Sequence, residues 1–401
     1  MGKIKEINEP YYRNNQRVKM TKGYTGTTKF DIPVYTADMF DYIGYFYKAN
    51  RNAPKYDEKD KDYQYLYKRF GKASKYDCIF YLNQAKLYYQ ASKNGPFEVS
   101  MLSSYYCMLN LAKSLLSYRS NCVNEFVRDF QRHGINEGFT NAGDDFENIF
   151  IQYDIPDVDA QGHKSSNFGG VFTMLAKSLD SDFETKWQHD NLGKSIKTLL
   201  YNLPFVQSSY MNTYASSQNK IKELFVPLAA GASPYYFVST GTKLLLKGEI
   251  DVGYLAAEGG KLSDDIKKTL SGEFDYDADG SFRSLNTAPK NNDDSINKKL
   301  KEFNAELRKN FVYIGGNHPV WFIKRTGLKN KDVLNISTIT INMAVMHRLS
   351  EIARYKPEQL QHLMDSKESW LFREYMTAAL DQFVDEMASE ITGKDVMLAP
   401  W

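Results

Sequence analysis

Between Glu98 and Ile135 the chain reads EVSMLSSYYCMLNLAKSLLSYRSNCVNEFVRDFQRHGI, and its first half holds the strongest buried-helix pattern in the sequence. No residue from Val99 to Ala112 carries a charge, and Met101, Tyr105, Met108, Leu109, Ala112, Leu115 and Leu116 recur at three- and four-residue steps. That spacing puts them on one broad helical face, which a folded chain buries. After a break at Ser120-Asn121 the chain runs on to Arg128-Asp129-Phe130-Gln131-Arg132-His133-Gly134, where the glycine is placed to stop a helix.

Upstream, Tyr76 to Ser92 carries Ile79, Leu82, Ala85 and Tyr89 inward, and Asn94-Gly95-Pro96 closes that helix and opens the central one. The two helices therefore form a hairpin. Thr36 reads as an N-cap for a helix with Met39, Phe40, Ile43 and Phe46 on one side, and the residues before it show no periodicity, which predicts an arm. Glu147 to Tyr153 alternates like a strand, and helices follow over 168–179, 192–201 and 205–215, the last two parted by Pro204. Residues 221–337 change character, with PYYFVST, KLLLKGEID and NFVYIGG as strands between glycine-rich turns. From Ile339 the pattern is helical again, with Ile341, Ala344, Val345, Leu349 and Ile352 on one stripe, then a helix opened by Pro357 and another over 370–391. The terminal MLAPW is apolar, so it is expected to dock onto the body. The expected fold is mainly α with an α+β insertion, in four parts: a basic, Tyr-rich arm and helix (1–74), a helical core (75–220), a smaller α+β insertion (221–337) and C-terminal helices packing back on the core (338–401).

Composition adds little to this picture until it is taken locally. A hydrophobic share of 42% over 401 residues supports a large core, and a net charge of +2 predicts no strong whole-molecule attraction to nucleic acid or membrane. Yet residues 1–75 hold sixteen Lys or Arg against nine Asp or Glu, and Tyr56, Tyr63, Tyr65 and Tyr67 lie among lysines. That interleaving suits single-stranded nucleic acid, and it equally suits a solvated helix with rings beneath lysine stems. Cys78, Cys107 and Cys122 share no metal-ligand spacing and suggest a reducing, cytoplasmic setting. No secretory signal or membrane span is expected, because the polar start lacks an apolar segment and the uncharged run 224–242 contains Pro227, Pro234, Gly231 and Gly241. Gly2 lacks the Ser or Thr at position 6 that myristoylation prefers, Glu6 standing there instead.

Two motifs invite metal or phosphate chemistry and argue against it. Asp275, Asp277, Asp279 and Gly280 match the start of a calcium loop, but Asn286 stands where the bidentate Glu belongs, so no tight calcium site is expected. Gly315-Gly316-Asn317-His318 lacks the Lys-Ser/Thr of a phosphate loop. His163, His189, His318, His347 and His362 show no paired metal spacing and read as lone surface or core residues. No metal and no cofactor is expected.

The hairpin IFYLNQAKLYYQASKNGPFEVSMLSSYYCMLNLAKSLLS with the following His133-Gly134-Ile135, and the late segment MAVMHRLSEIARYKPEQL, resemble the bacterial YaaC-like family, which is related to the HEPN superfamily of helical domains. NFGGVFTML and LLYNLPFVQSSY are similar to that family's middle region, so the resemblance runs in patches from about Cys78 to the C-terminus. It implies a HEPN-like helical core carrying inserted strands. Many HEPN proteins are metal-independent ribonucleases of toxin, stress and antiviral systems, with an Arg, a polar residue, three variable residues and a His, and Arg128-Asp129-Phe130-Gln131-Arg132-His133 fits that pattern. The implied roles are Arg128 and His133 as the catalytic pair, Asp129 orienting them, and Arg132, Lys113 and Arg354 binding RNA. Attack of a 2′-OH on its own phosphate needs a base, an acid and a cation, which imidazole and guanidinium supply. One motif has one His, so the mechanism implies a homodimer with the site at its axis, its interface including 121–135, and a defence-system partner protein is a further expectation. On a regular helix residues five apart lie about 140° from one another, so Arg128 and His133 converge only if the helix ends there. The alternative reading of the same residues is a C-cap with a solvated imidazole, in a non-catalytic binding or assembly module.

Overall fold

A computed structural model of the chain describes residues 11–13, 16–18, 34–49, 76–120, 129–138, 143–154, 169–180, 182–187, 193–216, 221–229, 237–240, 243–272, 274–285, 288–289, 310–316, 320–392 and 396–398. It is mainly α with small sheets, and it divides into two units. Residues 38–221 and 332–392 make the helical one, and 1–37, 222–331 and 393–401 make the other.

In the helical unit lie α1 (Met39–Ala49), α2 (Tyr76–Asn94), α3 (Phe97–Ser120), α4 (Gly170–Leu179), α5 (Phe183–Trp187), α6 (Ile196–Tyr201) and α7 (Gln207–Tyr214). After α8 (Val252–Ala257) and α9 (Asp264–Leu270) of the other unit come α10 (Thr338–Tyr355), α11 (Pro357–Asp365) and α12 (Ser369–Thr392). The expected hairpin is α2 and α3, turned at Asn94-Gly95-Pro96. The central helix is buried on more than the one expected face: Cys107 and Leu111 are as inaccessible as Met101, Tyr105 and Met108. The reason is its position, since α2, α4, α10 and α12 all pack against it. Ser114 Oγ donates to the Cys78 carbonyl at 2.7 Å and meets Tyr47 Oη at 2.9 Å, which ties α1, α2 and α3 together.

Helix α10 is the second core element, buried almost without interruption from Thr338 to Ser350. Its start is capped by Ser337, and Pro357, which cannot continue it, opens α11. Asn342 Nδ2 donates to the Ala379 carbonyl at 2.8 Å while Tyr375 Oη donates to Asn342 Oδ1 at 2.8 Å, joining α10 to α12. A small antiparallel sheet completes the unit, with Phe150–Tyr153 between Ile135–Glu137 and Lys194–Ser195. The cap of α1 differs from expectation. Asp38 accepts from the amides of Phe40 and Asp41 at 2.8 and 3.1 Å, because Thr36 is committed to a strand.

The second unit is the α+β part. Strand Val320–Lys324 lies between Phe311–Ile314 and Phe225–Pro227, all antiparallel, and Lys243–Glu249 organises a second sheet with Phe237–Thr240, Ser281–Ser284 and Ala288–Pro289. Phe282 and Phe311 stack in its core, and Phe274 meets both edge-on. Arg325 is buried but satisfied by Asp265, Tyr254 Oη, Ser263 Oγ and the Glu223 carbonyl. The ends of the chain show more order than an arm and a docked tail: Val396–Leu398 pairs in parallel with Val34–Thr36, and Tyr11–Arg13 pairs antiparallel with Gln16–Val18. The calcium-like motif is a hairpin turn whose acids already have protein partners: Asp275 holds Arg283, and Asp279 accepts from the Ser281 amide and hydroxyl at 3.0 and 2.7 Å. Asn286 lies outside the described residues. Among the described residues no cluster of three His, Cys, Asp or Glu could hold a metal, and no helix is long and apolar enough to cross a membrane.

Candidate active site

His133 itself lies outside any helix. Helix α3 ends at Ser120, a single 3-10 turn covers Asp129–Gln131, and strand Ile135–Glu137 begins two residues after His133. Gly134 therefore serves as a crossing point rather than a helix stop. It has φ +81°, and a Cβ there would lie 2.4 Å from the Gly169 carbonyl oxygen; a Cβ on Gly170 would lie 2.6 Å from the Gly134 nitrogen. Only glycines allow this approach. Through it, the first amides of α4, which have no partner inside their own helix, reach the preceding segment: Val171 N donates to the Arg132 carbonyl at 3.1 Å and Phe172 N to that of His133 at 2.9 Å. Thr173 Oγ1 adds a bond to the Gly134 carbonyl at 3.1 Å. The backbone of His133 is thus pinned from two sides.

Its imidazole is half-buried, with Nδ1 2.5 Å from Tyr105 Oη of α3. A second imidazole, His347 of α10, lies 5.5 Å away between ring centres, and its ring meets that of Tyr105 edge-on at 4.8 Å. Tyr105 is fully buried and His347 is 2% exposed. Burial, then the charges of Arg354 and Lys113, hold the His133 pKa below its ordinary value. Burial, reinforced by His133, Arg354 and Arg348, pushes His347 down to about 3. Burial lifts the Tyr105 phenol well above its usual range and lowers the ammonium of Lys113. At neutral pH the centre therefore holds two neutral imidazoles and a neutral phenol, edged by cations.

The carboxylates nearby are already committed. Arg348, 2% exposed, binds Glu137 and donates to Glu351 Oε2 at 3.1 Å, and Lys356 reaches Glu137 at 2.6 Å. Burial pushes the carboxyl of Glu351 up, and its Oε2 stands 3.7 Å from His347 Nδ1, too far for a hydrogen bond. His347 Nδ1 has no hydrogen-bond partner among the described residues. Arg354 and Lys113 pair with no carboxylate among the described residues. Arg354 Nε donates to the Ser350 carbonyl at 3.3 Å and its guanidinium lies 4.8 Å from the Tyr355 ring centre, while Lys113 Nζ sits 5.6 Å from that of Tyr81 and 6.0 Å from that of Phe130.

Of the residues singled out in the sequence, Lys113 and Arg354 both act on His133 through their charge. Arg132, next to His133, turns its guanidinium toward Asp154 at 3.9 Å. Arg128 and the side chain of Asp129 lie outside the described residues, as do His163, His189, His318 and Cys122. His347 is not lone: it packs on His133 and Tyr105. Sequence reasoning missed Tyr105, His347, Arg348 and Glu351 as site residues. A signal existed, because His347, Glu351 and Arg354 recur at steps of four and three on α10 and share a face.

A family model described as YaaC-like Protein matches residues 45–391, beginning well before Cys78 and running through the α+β unit. No curated protein and no solved structure matches the chain.

Proposed function

This chain belongs to the YaaC-like family, and from that premise we propose that it is a HEPN-like, metal-independent endoribonuclease of a cytoplasmic bacterial defence or stress system. The observation that carries the reading is a half-buried His133 that is hydrogen-bonded to Tyr105 and has its pKa lowered by burial and by the charges of Arg354 and Lys113, two cations that pair with no carboxylate among the described residues. Partly buried cations whose charge reaches a neutral base favour a ligand that brings negative charge and a proton to be removed. An RNA phosphate with its neighbouring 2′-OH has both.

In this mechanism His133 Nδ1–H donates to Tyr105 Oη, which leaves the lone pair of Nε2 to take the 2′-OH proton. The 2′-oxygen attacks the adjacent phosphorus, and Arg354 and Lys113 stabilise the charge that builds on the phosphorane. The departing 5′-oxygen must be protonated. His347 cannot do this, being held neutral down to about pH 3. We assign the acid to His133 of a second copy, which the negative charge of the bound phosphate favours in its protonated form, so the enzyme is a homodimer, with Arg128 adding positive charge and Asp129 orienting it. Purified protein treated with EDTA should cleave total RNA and leave 2′,3′-cyclic phosphate ends. Intact RNA would leave the second reading, a module that binds RNA or assembles without cleaving, which the deep packing of His347 against Tyr105 favours.

A further inference from the structure

Tyr355 is the last residue of α10 and, at 70%, the most exposed large apolar side chain among the described residues. A ring this open leaves a face on which another planar group can stack. Its backbone is held from both sides: the Lys356 amide donates to the Ile352 carbonyl at 2.9 Å, Lys356 Nζ is fixed on Glu137, and Pro357 opens α11. The Arg354 guanidinium lies over the ring at 4.8 Å, and the same guanidinium acts on the imidazoles of both His133 and His347. An open aromatic ring thus lies against a cation that has no carboxylate among the described residues. The ring offers a π-face and the cation offers charge, which is the pairing that single-stranded nucleic acid engages through base and phosphate.

We propose that Tyr355 is a base-stacking platform for single-stranded RNA, seating the nucleotide next to the phosphate held by Arg354. This rests on the ribonuclease reading for the site, and it adds the substrate class: unpaired strands, whose bases can leave their neighbours and lie on the ring. Duplexes, with bases stacked internally, do not use it.

The test is binding of a fluorescein-labelled, fully 2′-O-methylated RNA oligonucleotide, which lacks the attacking hydroxyl, followed by anisotropy with wild type, Tyr355→Ala and Tyr355→Phe. Tyr355→Ala should weaken single-strand binding about 10-fold, since stacking of a base on an aromatic ring is worth about that much or more. Tyr355→Phe should keep it, and the duplex form should bind wild type and Tyr355→Ala alike. Equal single-strand affinity of Tyr355→Ala and wild type, or a wild type that binds no strand, overturns the proposal. Selective loss in Tyr355→Ala together with a wild type that never cleaves unmodified RNA upholds the platform and removes the ribonuclease reading instead.

Discussion

Tyr105 decides which nitrogen of His133 can accept a proton. If its hydroxyl accepts from Nδ1–H, Nε2 is free as a base; without it the two tautomers compete. Tyr105→Phe should therefore lower kcat on the order of 10-fold or more with little change in KM, read in single-turnover cleavage. Unchanged kcat would remove Tyr105 from the mechanism. The cations make a second prediction. Because Lys113 helps depress the His133 pKa, Lys113→Met should move the His133 titration midpoint upward, toward the roughly 6.5 of a free imidazole, in a histidine NMR titration. An unmoved midpoint would place Lys113 too far away to matter. His347 links the site to stability. Its folded pKa, about 3, lies below that of an unfolded imidazole, so the unfolded chain binds the extra proton between the two values. Its contribution is full above about pH 6.5 and is lost as pH falls toward 3, with a slope of up to about 1.4 kcal/mol per pH unit for one proton. Denaturant midpoints at about pH 7 and about pH 5 should therefore converge in His347→Gln relative to wild type, and an unchanged gap would contradict a buried neutral imidazole. At this scale the sequence exposes His133 through its spacing from Arg128. It hides His347, because the contact that gives it meaning joins two helices far apart along the chain.

Among the elements, the hairpin of α2 and α3 and the stripe on α10 follow from periodicity and one Asn-Gly-Pro break. What periodicity does not carry is which partner surrounds an element, and so the all-round burial of α3 was not legible. Gly134 shows the same limit: a glycine marks a break, but only the fold reveals the carbonyl it must approach. Gly134→Ala places a Cβ 2.4 Å from backbone oxygen at positive φ, while Gly259→Ala, at φ +84°, meets nothing within 4 Å. The first should destabilise by about 2 kcal/mol or more and shift the thermal midpoint by several degrees, and the second by about 1 kcal/mol. Equal shifts would mean that the contact between Gly134 and the start of α4 does not hold the His133 segment.

Over the whole molecule, a net charge of +2 gives no hint of an RNA partner. What favours RNA is local: Arg348 and Lys356 hold Glu137 and Glu351 in ion pairs, and Arg354 pairs with no carboxylate among the described residues. The composite acid predicts a dimer, and light scattering at micromolar concentration should return the mass of two chains; a monomer active at the same concentration would end the two-imidazole mechanism. The division of labour between folding and chemistry at His133 is the claim on which the rest depends. His133→Ala would strip Tyr105 of its partner, and an unsatisfied buried hydroxyl costs about 1–3 kcal/mol, so the solvated imidazole of the C-cap alternative no longer applies. His133→Gln keeps a polar partner in reach. The decisive measurement is cleavage of total RNA in EDTA by wild type and His133→Gln, with thermal midpoints taken on the same preparations. The account predicts a midpoint within a few degrees of wild type and activity lower by at least about 10²-fold. A well-folded His133→Gln protein that cleaves like wild type would contradict it.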